Sequence, residues 1–381
     1  MKILGIETSC DETAVCILDA SGSDTQPVFK VLGNALFSQI KTHAQYGGVF
    51  PALAKREHAL NLTPLLQKAL EEAGLYKQTT HAKNHELEKE LQTLLEREPG
   101  LFEAFIELFN QIQKPDIEAI AVTAGPGLEP ALWVGINFAL ALGKAWNIPV
   151  YPTNHMAGHI LSPLLSGESI EFPALAFLIS GGHTELVEMN SWLSYKVIGK
   201  TRDDAVGEAF DKVARILDLP YPGGPEISKL AAEARAENIV SEFSLPRPML
   251  KSPDLDFSFS GIKTAVLYTA KKCTPLSPEQ KKSLALEFEN AVTEVLITKV
   301  SKVLEQQEVK TLILGGCVIA NTFIRESFIE LNKKFPETKL LIPAKDLATD
   351  NAVMIAMAGY INIKNGQQPA QAIMAQGNMS L

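Results

Sequence analysis

The sequence predicts an α/β fold that is built from two similar lobes. Two kinds of local pattern occur once in each half of the 381-residue chain. The first pattern is a strand, a turn and a second strand, within residues 3–18 and again within 174–189. The second is an apolar strand, a glycine turn and a helical segment, within 118–149 and 309–336. Strands that alternate with helical segments are typical of α/β domains, and the repetition indicates a pseudo-duplication.

Composition shifts give the expected boundaries. We expect an N-terminal lobe of residues 1–152 together with about 353–381, and a C-terminal lobe of 153–352. Residues 76–114 are rich in Glu, Lys and Gln, with leucines at helical spacing, which predicts an amphipathic helical insertion on the surface. Residues 219–259 contain many prolines, which predicts a long loop-rich segment.

The overall composition excludes several classes of protein. Apolar residues make up 46% of the chain and charged residues 21%, which argues against disorder and against a long coiled coil. The longest mostly apolar stretch, 131–146, is interrupted by Gly135, Asn137 and Lys144, so we expect no membrane span. Acidic Glu7 and Asp11 interrupt any signal-peptide core, which argues against secretion.

Cysteine spacing indicates the cellular compartment, and net charge limits how a nucleic acid could bind. The four cysteines show no paired spacing, which favours a reduced, cytoplasmic protein. The net charge of −9 repels phosphate, so a nucleic-acid partner must meet a local basic patch or a second protein.

His155 and His159 are the sharpest chemical signal. Residues 150–160 read as a strand end, a cap at Thr153 or Asn154, and a short helix. Histidines four residues apart on a helix share one face and can converge on one metal ion. His81 and His85 have the same spacing, but they lie in the charged insertion, where we expect no metal. Asp350 is a candidate third ligand, although taken alone it reads as a helix cap.

Several turns combine residues that suit ligand binding. Residues 7–13 hold three carboxylates and three hydroxyls between two strands, so they could hold a phosphate or place a base, or could form a solvated turn. The glycines of Ser180-Gly181-Gly182 allow close approach to a phosphate, but they also suit a hairpin. The Gly315-Gly316 turn and Asn321 could face a nucleoside, or could simply join a strand to a helix.

Taken together, these motifs resemble those of the TsaD (Gcp) family, the tRNA adenosine threonylcarbamoyltransferases. The resemblance runs from Met1 to about Ala358, apart from 76–114. It rests on stretches 5–13, 43–58, 123–128, 155–159, 180–184, 207–212, 221–225, 257–264 and 349–351.

The resemblance implies a duplicated actin/Hsp70/sugar-kinase fold. It implies one divalent metal per subunit, Fe2+ with Zn2+ as the alternative, on His155, His159 and Asp350. That metal, and the nucleotide, would belong to the C-terminal lobe. Contacts to threonylcarbamoyl-AMP are implied for Leu178, Ile179, Ser180, Gly181, Gly182, Asp211, Gly224 and Asn321.

The implied reaction passes the threonylcarbamoyl group to N6 of adenosine 37 in tRNAs that read codons beginning with A. The implied partners are TsaB- and TsaE-like proteins and a separate enzyme that makes the adenylate. Glu12 or Asp11 is our hypothetical proton acceptor. Cys317 and Ile319 stand where the family usually has Gly and Ser, which affects the expected nucleoside contacts.

Three other functions are considered. A zinc protease of the HExxH type needs Glu after the first histidine, and Met156 occupies that position. An ATP-dependent small-molecule kinase on the same fold would not need the histidine pair. A non-catalytic scaffold of a tRNA-modification complex would not need the three ligand positions, so their presence favours an enzyme.

Overall fold

The computed structural model describes residues 1–23, 26–79 and 84–381. The chain divides into unit 1, with residues 1–169 and 350–381, and unit 2, with residues 170–349. These boundaries differ from the ones that the sequence predicts. Both histidines of the expected metal site, and Asp350, belong to unit 1 rather than to the C-terminal lobe.

Unit 1 is an α/β unit around one mixed sheet. Its elements are β1 (Lys2–Glu7), β2 (Glu12–Gly22), β3 (Pro27–Ser38), α1 (Ile40–Ala44), α2 (Pro51–Glu72), α3 (His85–Leu95), α4 (Leu101–Gln111), β4 (Ala119–Gly125), α5 (Glu129–Trp146), β5 (Val150–Asn154), α6 (His155–Leu161) and α12 (Ala352–Lys364). The strand order is β3-β2-β1-β4-β5. Pairing is antiparallel among β1, β2 and β3, and parallel among β1, β4 and β5.

Unit 2 repeats this arrangement. Its elements are β6 (Ala174–Ile179), β7 (Thr184–Met189), β8 (Tyr195–Lys200), α7 (Val206–Ile216), α8 (Gly223–Ala236), α9 (Ser260–Lys272), α10 (Pro278–Gln306), β9 (Thr311–Gly315), α11 (Thr322–Asn332) and β10 (Lys339–Leu341). The strand order is β10-β9-β6-β7-β8. Pairing is antiparallel among β6, β7 and β8, and parallel among β6, β9 and β10. The two sheets have the same topology, which confirms the predicted duplicated α/β fold.

The position of α12 explains why 350–381 belong to unit 1. This helix is buried along most of its length and packs against β1, β2, β4 and β5. Contact with β1 is close, because a Cβ at Gly5 would lie 2.3 Å from the carbonyl oxygen of Ala352. Only glycine allows this approach. Helix α6 also packs on α12, which brings its histidines into the same unit.

The helices of segment 76–114 are more buried than the sequence predicts. It does form two helices, α3 and α4, as predicted. Their apolar faces, however, enter the core of unit 1 through residues such as Leu91, Leu95 and Phe105. The rings of Phe105 and Phe138 make an edge-on contact with centroids 5.8 Å apart. The expectation of a surface insertion is therefore wrong for these faces, since they pack against α2 and α5.

The proline-rich segment 219–259, predicted to be rich in loops, also contains helix α8. Pro225 lies in the first turn of α8, where its missing N–H group is not needed. Beyond α8, Lys299 of α10 holds the remaining loop. Its Nζ donates to Ser252 Oγ at 2.7 Å and to the carbonyl oxygen of Asp254 at 2.8 Å. Within the part of the chain that the structure describes, no helix is long and apolar enough to cross a membrane.

Candidate metal and nucleotide sites

Helix α6 carries the two histidines that stand out in the sequence. Asn154 ends β5 and caps α6, because its Oδ1 accepts hydrogen bonds from the N–H groups of Met156 at 2.8 Å and Ala157 at 3.2 Å. His155 and His159 are one turn apart and both are buried. Their ring centroids are 4.7 Å apart and their planes are almost perpendicular. The two imidazoles therefore project from the same side of one short helix.

Asp350 completes a cluster of three possible metal ligands. Its Oδ1 lies 3.4 Å from Nε2 of His155 and 3.2 Å from Nε2 of His159. One ligand atom from each residue falls within 4.8 Å of the other two. Donors about 2.1 Å from a shared ion at the tetrahedral angle are about 3.4 Å apart, so these separations fit a divalent transition metal. Two histidines and one carboxylate suit iron or zinc.

A buried carboxylate supports His155 from the side opposite Asp350. Oε2 of Glu7 lies 3.0 Å from Nδ1 of His155 and accepts a hydrogen bond from Thr123 Oγ1 at 2.6 Å. The N–H group of Ser9 donates to Oε1. A proton held on Nδ1 leaves Nε2 as the metal-facing atom, which is the usual arrangement of a ligating histidine. This role of Glu7 was not predicted from the sequence, although a carboxylate at the end of a buried strand was a signal.

Burial and the neighbouring carboxylates act differently on the two histidines of the cluster. Burial opposes charge on His155, but Asp350 and Glu7 outweigh it and hold the pKa of this histidine well above its usual range. For His159, burial prevails and its pKa is lowered. Nδ1 of His159 is buried and has no hydrogen-bond partner among the described residues. The two imidazoles therefore differ: His155 takes up a proton between two carboxylates, and His159 is neutral.

Of the two hypothetical proton acceptors, Asp11 lies in the turn after β1 and Glu12 is the first residue of β2. Ser38 Oγ donates to Oε1 of Glu12 at 3.0 Å, and the side chains of Asp11 and Glu12 share a hydrogen bond. Burial, followed by the charges of Asp350 and Asp11, raises the pKa of Glu12 to about 9. Glu12 therefore holds a proton at neutral pH. It could accept another group's proton only if a nearby positive charge lowered its pKa.

A second pair of buried histidines anchors the same turn. Nε2 of His58, in α2, donates to the carbonyl oxygen of Cys10 at 3.0 Å, and Nδ1 lies 2.8 Å from Thr13 Oγ1. The Gln39 amide joins Nδ1 of His58 to Nε2 of His43. Because a carbonyl oxygen only accepts, Nε2 of His58 carries the proton and Nδ1 is left to accept. The network therefore requires a neutral His58.

We expect His58 to make stability depend on pH. Burial lowers its pKa to about 4, whereas a histidine in an unfolded chain has a pKa of about 6.5. Between these values the unfolded chain binds more protons, so stability falls as the pH falls through this window. Lowering the pH from about 7.5 to about 5 should cost about 2 kcal/mol through this residue.

Urea unfolding at the two pH values measures this loss. The loss in unfolding free energy between the two pH values should be unchanged in His85→Gln, which replaces an exposed histidine of α3. In His58→Gln the same loss should be about 2 kcal/mol smaller. An equal loss in both variants would rule out His58 as the titrating group. His81, the other member of the comparison pair, lies outside the described residues.

In unit 2, three of the expected adenylate contacts are glycines that face open space. A Cβ built on Gly181, Gly182 or Gly224 would meet no described atom within 4 Å. None of the three has a positive φ that would require glycine. Neither packing nor backbone conformation therefore explains these residues, and such glycines are typical where a ligand approaches the backbone.

The turns after β6 and β9 meet at the carboxyl ends of these parallel strands. The N–H group of Gly207, at the start of α7, donates to the carbonyl oxygen of Ser180 at 3.2 Å. Gly316, with φ of 93°, lies against the end of β6, where a Cβ would be 2.5 Å from the carbonyl oxygen of Ile179. Leu178 and Ile179 are fully buried, so only their backbone could contact a ligand.

Asp211 and Asn321 both have structural partners. Oδ1 of Asp211 accepts a hydrogen bond from the N–H group of Gly223 at 2.7 Å, which joins α7 to α8. Oδ1 of Asn321 caps α11, and its Nδ2 donates to buried Glu289 at 2.7 Å. One N–H and one lone pair of the Asn321 amide remain for a ligand. No local pattern points to Glu289, because its partner Asn321 is 32 residues away.

Several solved structures are similar to this chain. Full-length HypF, in its phosphate- and nucleotide-bound form, is similar over 96% of this chain and 47% of its own, with 11% identity and a TM-score of 0.53. Component A of the Acidaminococcus fermentans (R)-2-hydroxyglutaryl-CoA dehydratase covers 94% of this chain and 98% of its own, with 12% identity and a TM-score of 0.47. The ROK hexokinase of Thermus thermophilus covers 96% and 100%, with 13% identity and a TM-score of 0.41. At this identity, the likeness to HypF shows the fold alone.

The sequence comparison is more specific. The family model of TsaD, described as tRNA N6-adenosine threonylcarbamoyltransferase, matches residues 30–82 and 99–357. The unmatched stretch 83–98 contains α3, so the part of 76–114 that departs from the family is shorter than we expected. The match includes all three residues of the metal-ligand cluster. The chain therefore belongs to the TsaD family, whose members are transferases that act on tRNA.

Proposed function

We propose that this chain transfers the threonylcarbamoyl group from threonylcarbamoyl-AMP to N6 of adenosine 37 in tRNAs that read codons beginning with A. The convergence of His155, His159 and Asp350, in a chain of this family, carries the proposal. A non-catalytic scaffold has no need of a buried cluster of this composition. A small-molecule kinase on the same fold has no need of it either.

The proposed cofactor is one divalent metal per subunit, Fe2+ with Zn2+ as the alternative. His155, His159 and Asp350 would hold it, and Glu7 would orient His155. When bound, the metal would act as a Lewis acid toward oxygen atoms of the donor. Support for this assignment comes from the donor set and from the spacing of its ligand atoms.

The proposed reaction is an acyl transfer. The N6 amine of adenosine attacks the carbamoyl carbon of the mixed anhydride, and a new C–N bond forms. The bond from that carbon to the phosphate oxygen breaks, AMP leaves with the electron pair, and N6 loses a proton. Asp11 or Glu12 is the proposed acceptor of this proton. For Glu12 this requires a positive charge nearby, because its pKa is raised to about 9.

Unit 2 would hold the adenylate. We assign its contacts to backbone groups of residues 178–182 and Gly224, and to Asp211 and Asn321. Exposed backbone N–H groups at glycine turns are suited to phosphate oxygens. The proposed partners are TsaB- and TsaE-like proteins, with a separate synthase that supplies the adenylate from an upstream reaction.

A transfer assay tests the whole proposal. Labelled threonylcarbamoyl-AMP is mixed with the protein and with a tRNA transcript that carries A37, with and without the two partner proteins. A transcript with G37 is the matched control. Label on A37 and none on G37 is the expected result. If label never reaches A37, even with both partners and added Fe2+ or Zn2+, the enzyme assignment fails and the scaffold function takes its place.

Neighbouring glycines provide a test of the adenylate site. A Cβ at Gly224 meets open space, whereas a Cβ at Gly223 would lie 2.4 Å from Cβ of Ala214. We expect Gly224→Ala to retain full stability and to bind threonylcarbamoyl-AMP at least about tenfold more weakly. Gly223→Ala should instead lose about 1–3 kcal/mol of stability through overpacking.

Urea unfolding and equilibrium binding of the adenylate separate the two effects. Unchanged binding in Gly224→Ala would remove this glycine from the proposed site. A stability loss in Gly224→Ala equal to that of Gly223→Ala would show that packing, rather than a ligand, requires both glycines.

A further inference from the structure

The last described residues of unit 1 pass from the start of β5 to the turn after β4 and on to the cap of α6. The N–H group of Ala370 donates to the carbonyl oxygen of Val150, in β5, at 2.8 Å. Further on, the N–H group of Gln376 donates to the carbonyl oxygen of Ala124, in β4, at 2.8 Å. Between them, Ile373 is buried in the core of the unit. We call residues 376–380 the strap.

The strap is closely fitted to the turn after β4. Gly127 donates from its N–H group to the carbonyl oxygen of Gly377 at 3.1 Å. A Cβ at Gly125 would lie 2.1 Å from the carbonyl oxygen of Gln376 and 2.8 Å from Cβ of Met379. Thr123, which donates to Glu7, belongs to the same strand end. The strap is thus in contact with the segment that supports the metal ligands.

One side chain joins the strap to helix α6. Nδ2 of Asn154 donates to the carbonyl oxygen of Ser380 at 3.0 Å. Oδ1 of the same amide caps α6 at Met156 and Ala157. The amide is therefore held at both ends, by the strap on one side and by the first turn of the helix on the other. His155 is the first residue of that turn.

We propose that the strap positions α6 for metal binding, with Asn154 as the positioning residue. This inference rests on the proposed metal site. Without the strap, the cap amide loses one of its two fixed ends and the turn after β4 loses its cover. The first turn of α6, and with it Nε2 of His155, is then less well placed relative to Asp350. Substitution of a residue that orients a metal ligand typically weakens metal binding by 10–100-fold. Because the strap acts through Asn154, we expect the low end, about tenfold.

A matched pair of variants at Gln376 tests the strap. Gln376→Pro removes the N–H group that donates to Ala124, and Gln376→Ala keeps it. Co2+, titrated through its visible absorption, serves as the metal probe. Hydrogen exchange at the amides of Met156 and Ala157 reports the first turn of α6 without any metal. We expect about tenfold weaker Co2+ binding and faster exchange in Gln376→Pro, with neither change in Gln376→Ala.

A second variant guards against general unfolding of Gln376→Pro. Asn154→Asp keeps the cap oxygen but cannot donate to Ser380. Its added negative charge would by itself strengthen cation binding, so weaker Co2+ binding can come only from lost positioning. Asn84→Asp, at the cap of α3, is the control and should bind Co2+ as the wild type does.

The possible outcomes distinguish a failure of the strap's positioning role from a failure of the proposed metal site. If both Gln376→Pro and Asn154→Asp show wild-type Co2+ affinity and wild-type hydrogen exchange, the strap does not position α6. If the wild-type protein itself binds no Co2+, the proposed metal site fails. In that case faster exchange in Gln376→Pro than in Gln376→Ala still supports the strap as a support of α6, and equal exchange overturns it.

Discussion

Replacing His159 with alanine should remove metal binding and reduce threonylcarbamoyl transfer by about a thousandfold. The size follows from the several kcal/mol that a Lewis-acid metal contributes to a transition state. His159 is the better of the two histidines to replace, because its pKa is lowered and its ring is neutral in the metal-free protein. Its loss therefore leaves the contacts of His155 with Asp350 and Glu7 in place.

His155→Ala should behave differently. It removes the positive charge between buried Glu7 and partly buried Asp350, and uncompensated buried charge typically costs about 3–5 kcal/mol. We expect this variant to lose both stability and activity, so it cannot separate the two. His85→Ala, which replaces an exposed histidine, is the control. Co2+ binding, urea unfolding and label transfer to tRNA are measured for each variant. Wild-type label transfer in His159→Ala would refute a catalytic metal at this cluster.

Replacing Glu7 with glutamine should weaken metal binding by about 10–100-fold and also destabilise unit 1. Glu7 accepts hydrogen bonds from His155, Thr123 and the N–H group of Ser9. Glutamine has one acceptor oxygen in place of two, and its amide would face at least one of these donors. A buried donor without an acceptor costs about 1–3 kcal/mol, so we expect a stability loss of this size.

Glu12→Gln provides the matched control. Glu12 has a pKa of about 9 and is already neutral at pH 7, so glutamine resembles its natural state and stability should hardly change. Urea unfolding and Co2+ titration of the two variants give the comparison. Equal Co2+ affinity in Glu7→Gln and wild type would show that Glu7 is a structural residue with no influence on the metal.

The fold could be predicted largely because its signals are local. The turns after β1 and β6, and the glycine turns after β4 and β9, each interrupt an apolar strand within a few residues. The spacing of His155 and His159 is equally local, since a helix alone brings them together. Helix α8 was missed because prolines around it indicated a loop, while Pro225 in fact lies in the first turn of the helix.

The rest of the metal-ligand cluster depends on tertiary contacts. Asp350 lies 191 residues from His159, and in the sequence it cannot be distinguished from a helix cap. The structure assigns the cap of α12 to Asn351 instead. Glu7 and Thr123 meet only because β1 and β4 are neighbours in the sheet. No local pattern reports which strands become neighbours, so these partners emerge only from the fold.

The shared topology of the two units has an evolutionary consequence. The turn between β1 and β2 and the turn between β6 and β7 occupy the same place in their sheets. Glu7, at the start of the first turn, contacts His155, whereas the second turn contains Gly181 and Gly182, beside which a Cβ would meet open space. Gene duplication of one scaffold could therefore yield a division of labour through changes in a single short turn. Each copy can change the residues of its own turn while the sheet beneath the turn keeps its apolar core.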